Sequence, residues 1–176
     1  MKKTILPYFL ILFLFPLQIA WGETVAYKDL VKRKGSNHEK IYYKKFTDIP
    51  YTGKTKGLVV TQLKNGKPYG SYLQYHENGQ LMKKYFIKEF PYKYHGKYFE
   101  YYSNGKLRDI CQYKNGLPYG KCVSYFKNGR IEEIQRFNEK GQLHGNRTIY
   151  FLNGKSKESI YRNGIKYFRY DDYYKN

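Results

Sequence analysis

Few residues of this sequence have the types and the spacing that catalysis or metal binding requires. The chain has four histidines and 14 Asp and Glu residues among 176. His95 and His144 each stand directly before a glycine, where tyrosine stands in otherwise similar segments, and no two histidines have the short spacing of a metal-ligand pair. The adjacent carboxylates Glu132-Glu133 would point to opposite faces of a strand. The sequence therefore assigns no catalytic residue, no metal ligand and no cofactor, and we expect that the protein is not an enzyme.

The two cysteines, Cys111 and Cys122, carry a more specific expectation. A turn over residues 114–119 would place Tyr113 opposite Gly120, and the same register would place Cys111 opposite Cys122. We therefore predict a cross-strand disulfide between them, and the alternative is a pair of small buried thiols. A disulfide requires an oxidising compartment, which the N-terminal residues also indicate.

The first 22 residues have the pattern of a secretory signal peptide. Two lysines are followed by an apolar run, by Pro16 and by small residues ahead of a cleavage site after Gly22. An uncleaved membrane anchor is the alternative for residues 1–22, and no later apolar run is long enough to span a bilayer. Cleavage would remove two lysines and lower the formal net charge from +19 to +17. We expect an exported protein that is periplasmic, at the cell surface or secreted.

An internal repeat of about 25 residues organises most of the chain. Each of four units opens on a glycine, has a tyrosine five positions later and reaches Asn-Gly after seven intervening residues. These repeat residues are Gly70, Tyr75, Asn78 and Gly79, then Gly96, Tyr101, Asn104 and Gly105, then Gly120, Tyr125, Asn128 and Gly129, then Gly145, Tyr150, Asn153 and Gly154. Asn-Gly favours a type I′ hairpin turn, because both residues tolerate positive φ. We therefore expect each unit to be a strand, a tight turn at this Asn-Gly, a second strand and a longer turn.

The repeat predicts an all-β fold, an elongated antiparallel meander of β-hairpin repeats that forms a single-layer twisted sheet after the signal peptide. Residues 23–49 lack the repeat and are predicted to form an N-terminal cap segment. The repeat array is predicted over residues 50–166, with about four full units and one degenerate unit. The Tyr-rich residues 167–176 are predicted to cover the final strand edge, since repeat arrays need atypical ends.

Tyrosine is predicted to supply most of the burial in such a thin sheet. The chain has 23 tyrosines, and a tyrosine ring covers apolar area while its hydroxyl remains in water. We expect the rings to stack as a ladder along one face. The expected members are Tyr75, Tyr101, Tyr125 and Tyr150, together with Tyr72 and Tyr98.

The best-preserved unit, residues 96–120, resembles the MORN repeat, and in particular its bacterial variant. The resemblance is carried by Gly-x-x-x-x-Tyr-x-x-Asn-Gly-Lys-Leu followed by Asn-Gly-x-x-x-Gly, and by Pro50-Tyr51-Thr52-Gly53-Lys54 at the start of the array. It implies a β-meander that serves in protein–protein or membrane association. Bacterial members are often described as YwqK-type antitoxins or, by transfer, as lipid kinases. The kinase description does not fit, because the chain has no Gly-rich phosphate loop.

Basic side chains dominate the array, which has 22 Lys and Arg residues against eight Asp and Glu residues. Side chains between the core residues of a strand point outward, so we expect a basic face. Its expected members are Lys97, Lys106, Arg108, Lys121, Arg130, Arg147 and Lys155. Such a face would bind a protein partner or an anionic lipid or envelope surface. Nucleic acid is less favoured, because the interleaved aromatic residues are needed as core, and a compositional excess of lysine is the alternative.

These patterns together predict an exported, non-enzymatic MORN-like scaffold that binds its partner through the basic face. The alternative function is an antitoxin or immunity-type protein that neutralises one toxin by one-to-one protein binding. Export disfavours the neutralisation of a cytosolic toxin.

Overall fold

The computed structural model describes residues 23–35, 38–89 and 93–167 and forms fifteen β-strands and one 3-10 turn, Tyr27–Asp29, within them. The predicted signal peptide and residues 168–176 of the predicted C-terminal tail lie outside the described residues. The strands are β1 (Thr24–Ala26), β2 (Leu30–Lys34), β3 (Lys40–Lys44), β4 (Gly53–Lys56), β5 (Val59–Lys64), β6 (Lys67–Tyr75), β7 (Leu81–Glu89), β8 (Lys93–Tyr94), β9 (Gly96–Tyr101), β10 (Leu107–Lys114), β11 (Leu117–Tyr125), β12 (Ile131–Phe137), β13 (Gly145–Tyr150), β14 (Ser156–Arg162) and β15 (Ile165–Tyr167).

Thirteen of these strands form one open sheet whose order almost follows the chain. From β4 onward successive strands pair antiparallel, except that β7 pairs with both the short β8 and the following β9. Strand β1 joins β4 in parallel at the N-terminal end, and β2 and β3 form a separate hairpin. The predicted all-β fold, an antiparallel meander of hairpins that does not close, is confirmed.

Most of the buried side chains lie at the N-terminal end of the sheet, and Ile87 on β7 and Val123 on β11 are buried farther along it. The main buried cluster consists of Val25, Tyr42, Tyr51 and Leu63, with Tyr27 and Leu30 packed against it. The Tyr42 amide donates to the Gly66 carbonyl at 2.9 Å, and the Gly66 amide donates to the Tyr51 carbonyl at 2.7 Å. Strand β3 is therefore fixed against the first turn of the array, where Ile41 and Tyr42 lie beside Gly66.

Asn-Gly occurs in two kinds of turn. The sequence prediction placed the tight turn at the Asn-Gly of the repeat units and the longer turn at the unit ends, and this assignment is wrong. At Asn65-Gly66, Asn115-Gly116 and Asn163-Gly164 both residues have positive φ. Lys114 pairs with Leu117 directly beside the second of these turns, as in a two-residue type I′ hairpin. At the Asn-Gly of the four repeat units only the glycine has positive φ. The tight turns therefore lie at the unit ends, and the wider turns lie at the repeat Asn-Gly.

The asparagine side chain explains the wider turn. In the unit at Gly96, the amide of Lys106 donates to Asn104 Oδ1 at 3.1 Å, and the Tyr102 amide donates to the Lys106 carbonyl at 2.9 Å. Asn78, Asn128 and Asn153 accept from the residue two positions later in the same way. An asparagine that satisfies its own turn through its side chain does not need positive φ. We call the turns at residues 76–80, 102–106, 126–130 and 151–155 the repeat turns.

The opening glycines mark β-bulges that shift the strand register. Beside the tight turn Tyr113 lies opposite Pro118, whereas farther along the same hairpin Ile110 lies opposite Val123. Gly120, with φ of +68°, lies within this two-residue shift on β11. The predicted pairing of Tyr113 with Gly120 is therefore wrong, because the turn has two residues rather than six. Beyond the cysteines, where Ile110 pairs with Val123, the strands have the register that the sequence predicted.

The tyrosine ladder lies on one face of the sheet. Tyr72 and Tyr85 stack at 4.6 Å between ring centroids, Tyr85 and Tyr98 at 5.7 Å, and Tyr98 contacts Tyr113 at 5.7 Å. The expected members Tyr75, Tyr101, Tyr125 and Tyr150 are half-buried. These four stand five positions after their opening glycines, whereas Tyr72 and Tyr98 stand two positions after theirs, so strand alternation places the four on the opposite face. The prediction that all six tyrosines form one ladder is therefore wrong.

Gly66→Ala is expected to destabilise the fold more than Gly79→Ala. Both glycines have left-handed φ, +71° and +82°, so alanine costs about 1–2 kcal/mol at either position. A Cβ at Gly66 would also lie 2.4 Å from Ile41 Cγ2 and 2.7 Å from the Tyr42 carbonyl oxygen, whereas a Cβ at Gly79 meets no atom within 4 Å. Overpacking adds about 1–3 kcal/mol at Gly66. Denaturant unfolding measures both losses, and equal losses would show that β3 does not press on the tight turn.

Candidate functional site

Two rows of side chains cross the middle of the array, one on each face of the sheet. Paired residues of neighbouring strands lie side by side, and successive residues of one strand lie on opposite faces. One row is mostly apolar and consists of Val60, Leu73, Lys84, Phe99, Ile110, Val123, Ile134 and Thr148. The other, the polar row, consists of Gln74, Lys83, Glu100, Asp109, Ser124, Glu133 and Ile149. We call the two sides of the sheet the apolar face and the polar face.

A hydrogen-bonded network fixes two carboxylates of the polar row. Arg108 donates from Nη1 to Glu100 Oε1 at 2.9 Å, and its Nε lies 3.2 Å from Asp109 Oδ2. The Tyr98 hydroxyl donates to Glu100 Oε2 at 2.8 Å, and the Ser124 hydroxyl donates to Asp109 Oδ1 at 2.6 Å. Three of the four carboxylate oxygens therefore accept a hydrogen bond, and the fourth, Asp109 Oδ2, lies in an ion pair with Arg108. Both carboxylates are thus held in one orientation.

A register shift explains how Arg108 reaches this network. Leu107 pairs with Tyr101 and Asp109 with Glu100, so Arg108 is the extra residue on β10. A bulged residue is left out of the ladder, and its side chain is re-aimed. Glu100 is 14% exposed and Asp109 30% exposed, whereas Arg108 is half exposed. The bridge between the two carboxylates is therefore partly withdrawn from water.

Further along the polar row, Glu133 accepts a hydrogen bond from Arg147 Nε. This hydrogen bond raises the pKa of the Arg147 guanidinium, and Tyr161 adds to the effect. Lys83 approaches Glu100 on the other side, with Nζ 3.7 Å from Oε1. Three cations thus balance the three acidic side chains, and the polar face at this point has no net charge.

An open cleft of about 300 Å³ lies on the polar face over β9 to β12. Its polar lining comes from Glu100, Asp109, Ser124 and Gln135. Its aromatic lining comes from Tyr98, Tyr113 and Phe137. Burial raises the pKa of Tyr98, and the hydrogen bond to Glu100 raises it further. Burial also raises the pKa of Tyr113. Both phenols are therefore neutral hydrogen-bonding groups and ring surfaces rather than bases.

The cysteine pair lies in the floor of this cleft. The structure joins Cys111 and Cys122 in a disulfide, with Cα atoms 4.3 Å apart. Cys111 stands between the two registers of the β10–β11 hairpin, directly beside the bulge at Gly120. A covalent link at this point holds together two strands whose ladder is locally interrupted.

The seven residues of the predicted basic face lie in three places rather than on one face. Three follow the Asn-Gly of successive repeat turns: Lys106, Arg130 and Lys155. Two lie in the ion pairs of the polar face: Arg108 and Arg147. Two are placed on the apolar face by strand alternation: Lys97 and Lys121. The sequence pattern shows that these side chains point outward but not to which face of the sheet. The prediction therefore placed all seven on one face.

The exposed cations of the repeat turns form a line that we call the cation row. Its members are Lys106, Lys127, Arg130 and Lys155. Lys106 Nζ donates to the Asn128 carbonyl at 3.2 Å, and Arg130 Nη1 donates to the Leu152 carbonyl at 3.0 Å, so each reaches the next turn. None of the four forms an ion pair with a described carboxylate. Equivalent turns are two strands, or about 10 Å, apart.

Reduction of the Cys111–Cys122 disulfide is expected to lower the free energy of unfolding by about 3 kcal/mol. The bond spans a sequence separation of 11. Closing a loop of this size lowers the conformational entropy of the unfolded chain and so raises its free energy by about this amount. Mass spectrometry of the exported protein, alkylated without reduction, should find both cysteines protected. The Cys111→Ser/Cys122→Ser variant should match the reduced protein in stability. Alkylation of both cysteines in the unreduced protein would contradict the bond.

The protein is expected to lose stability above pH 10, with Tyr98 responsible for part of the loss. In the unfolded chain this phenol ionises with a pKa near 10, whereas in the folded protein its pKa is raised. Above pH 10 the folded state therefore retains a proton that the unfolded state releases, so stability falls as pH rises. Tyr98→Phe should flatten this decline in denaturant unfolding between pH 9 and pH 11. The same slope in the variant and the wild type would contradict the assignment.

Comparison with protein-family models gives no match for this chain, and a search of the curated proteins gives none either. The resemblance to MORN repeats stays a prediction from the sequence. In the described part of the chain no group of three or more His, Cys, Asp or Glu side chains is placed to hold a metal ion. Nor do these residues contain a helix with the length and apolarity needed to cross a bilayer.

Proposed function

We propose that this chain is an exported, non-enzymatic repeat scaffold that binds a protein partner or an anionic envelope surface. The observation that supports the proposal is the cation row. Its side chains are exposed, recur from one repeat turn to the next and have no acidic partner among the described residues. The predicted signal peptide would deliver the protein to a compartment with anionic surfaces, and the resemblance to MORN repeats fits a role in association.

The shape of the cation row favours an extended anion over a compact one. A small anion needs cations that converge on one point, whereas these cations follow a line with a spacing of about 10 Å. Lipid headgroups and acidic envelope polymers present many charges over a wide area. Each Lys or Arg near an anionic membrane contributes about 1 kcal/mol of binding free energy, so several weak contacts add up.

A second candidate function, an antitoxin or immunity-type protein, is favoured by the apolar face. Phe99 and Ile110 of the mostly apolar row are only half-buried, and Phe86 on the same face is 46% exposed. A protein partner that covered this face would bury these side chains, and apolar cores of this kind are typical of tight interfaces. This candidate predicts a one-to-one complex that depends little on salt.

The triple variant Lys106→Gln/Arg130→Gln/Lys155→Gln is expected to bind anionic lipid vesicles about 100-fold more weakly than the wild type. Three cations at about 1 kcal/mol each account for this factor. The matched control is Lys64→Gln/Lys140→Gln/Arg162→Gln, which removes the same charge from the turns at the other ends of the strands. Vesicle co-sedimentation at about 50 mM salt measures both. Equal losses in the two variants would show that net charge, not the cation row, determines binding.

A pull-down from envelope and secreted fractions at low and moderate salt separates the two candidate functions. Binding by the cation row should be lost between about 50 and 300 mM salt, because exposed charges are screened. Recovery of acidic lipids or of many acidic proteins only at low salt would support the surface binder. One stoichiometric protein that remains bound at the higher salt would overturn it in favour of the antitoxin or immunity-type function.

A further inference from the structure

The cleft on the polar face is separate from the cation row, and the proposed function leaves it unused. Its polar groups are already fixed, because three oxygens of Glu100 and Asp109 accept hydrogen bonds and the fourth pairs with Arg108. The ring of Tyr113 lines the cleft next to this network. Holding charged groups partly out of water costs free energy, and a preformed set of oriented polar groups beside apolar walls is the usual composition of a ligand site.

The charge balance of the cleft excludes strong selection for an ion. The two acidic residues of the lining, Glu100 and Asp109, both pair with Arg108, and Lys83 Nζ lies 3.7 Å from Glu100 Oε1, so two cations balance them. The cleft surface offers the carboxylates of Glu100 and Asp109 and the amide of Gln135, which is both a donor and an acceptor. A ligand for such a surface must be uncharged and rich in hydroxyl groups. The carboxylate, hydroxyl and amide groups of the lining offer acceptors and donors, which match neighbouring hydroxyl groups.

The aromatic walls select for a ligand that also has apolar faces. Tyr98 and Tyr113 are in contact at 5.7 Å between centroids, and Phe137 lines the other part of the cleft. Tyr113 and Phe137 each stand 17 residues after an opening glycine, so they are equivalent side chains of neighbouring units. Aromatic rings beside polar edges fit a sugar, whose C–H faces pack on rings while its hydroxyl groups meet the polar edges.

We propose that this cleft binds a neutral oligosaccharide that runs across the strands. The lining residues Glu100 and Ser124 are equivalent in successive units, as are Tyr113 and Phe137, so the cleft presents two related subsites about 10 Å apart. A chain of sugars, rather than a monosaccharide, can occupy both. The disulfide of Cys111 and Cys122 lies between the two subsites and fixes their separation.

Binding of the exported protein to an array of neutral oligosaccharides tests the proposal, with Tyr113→Ala and Gln135→Ala as site variants. We expect at least one neutral oligosaccharide of two or more sugars to bind, and its affinity to fall about tenfold or more in each variant. Tyr113→Phe keeps the ring and should bind like the wild type. Gln135→Ala removes an amide outside the ion-pair network, so it remains informative if Tyr113→Ala does not fold.

The triple variant of the cation row should bind the same oligosaccharide with unchanged affinity. The oligosaccharide proposal can therefore fail or hold independently of the vesicle result. Binding should also persist at about 300 mM salt, since no net charge is involved. Absence of binding to every neutral oligosaccharide on the array would overturn the proposal. Equal binding by wild type, Tyr113→Ala and Gln135→Ala would overturn it as well, and capture of basic peptides in place of sugars would assign the cleft to a different ligand.

Discussion

Hydrogen bonds from one turn to the next hold this single sheet in register, and the other features depend on them. In a tight turn the second residue does not need its amide to close the hairpin. Here the Gly116 amide donates to the Tyr94 carbonyl at 2.9 Å, and the Gly164 amide donates to the Leu143 carbonyl at 2.8 Å. At the repeat turns side chains donate the corresponding hydrogen bonds to the next unit. Asn78 Nδ2, for example, donates to the Ser103 carbonyl at 2.7 Å. Where these hydrogen bonds form, neighbouring units are joined at the ends of their strands as well as along them.

This regular spacing lets one repeat position serve different purposes in different units. The second residue after the opening glycine is Tyr72 or Tyr98 in the ladder, Cys122 in the disulfide and Arg147 in the ion pair with Glu133. All four positions lie on the polar face. The stacked rings thus continue into the cleft and then into the charged pair, while the exposed cations collect at the repeat turns. The polar face is thus neutral around the cleft, the opposite face is mostly apolar, and the repeat turns carry a line of positive charge.

The fold class could be predicted from the sequence because the signals for it are local and repeated. Asn-Gly every 25 residues or so marks turns, and short Tyr-rich segments mark strands. The kind of turn could not be predicted, since Asn115 and Asn104 both precede glycine. Asn104 satisfies the turn through its side chain, whereas Asn115 adopts positive φ. Lys or Arg directly after the Asn-Gly, as at Lys106 and Arg130, accompanies the wider turn but is not decisive.

The candidate site was harder to predict because it depends on register and not on residue type. The expected basic face rested on the abundant lysines, whereas the site depends on a few acidic residues. Glu100 and Asp109 meet only because β9 and β10 pair with a shift at Arg108. A usable signal was present, since the fourth residue after each opening glycine is Gln74, Glu100, Ser124 or Ile149, and three of these four are polar. The bulge that lets Arg108 bridge the two carboxylates has no comparable pattern in the sequence.

Amide hydrogen exchange, followed residue by residue by NMR, tests the turn-to-turn hydrogen bonds most directly. The amides of Gly66, Gly116 and Gly164 stand in tight turns, where an isolated hairpin would leave them open to solvent. If these amides donate to the neighbouring unit, as the structure has them, they should exchange as slowly as the amides of the adjoining strands. Exchange at the rate of an exposed turn at all three glycines would contradict the account, because the units would then be joined by strand pairing alone.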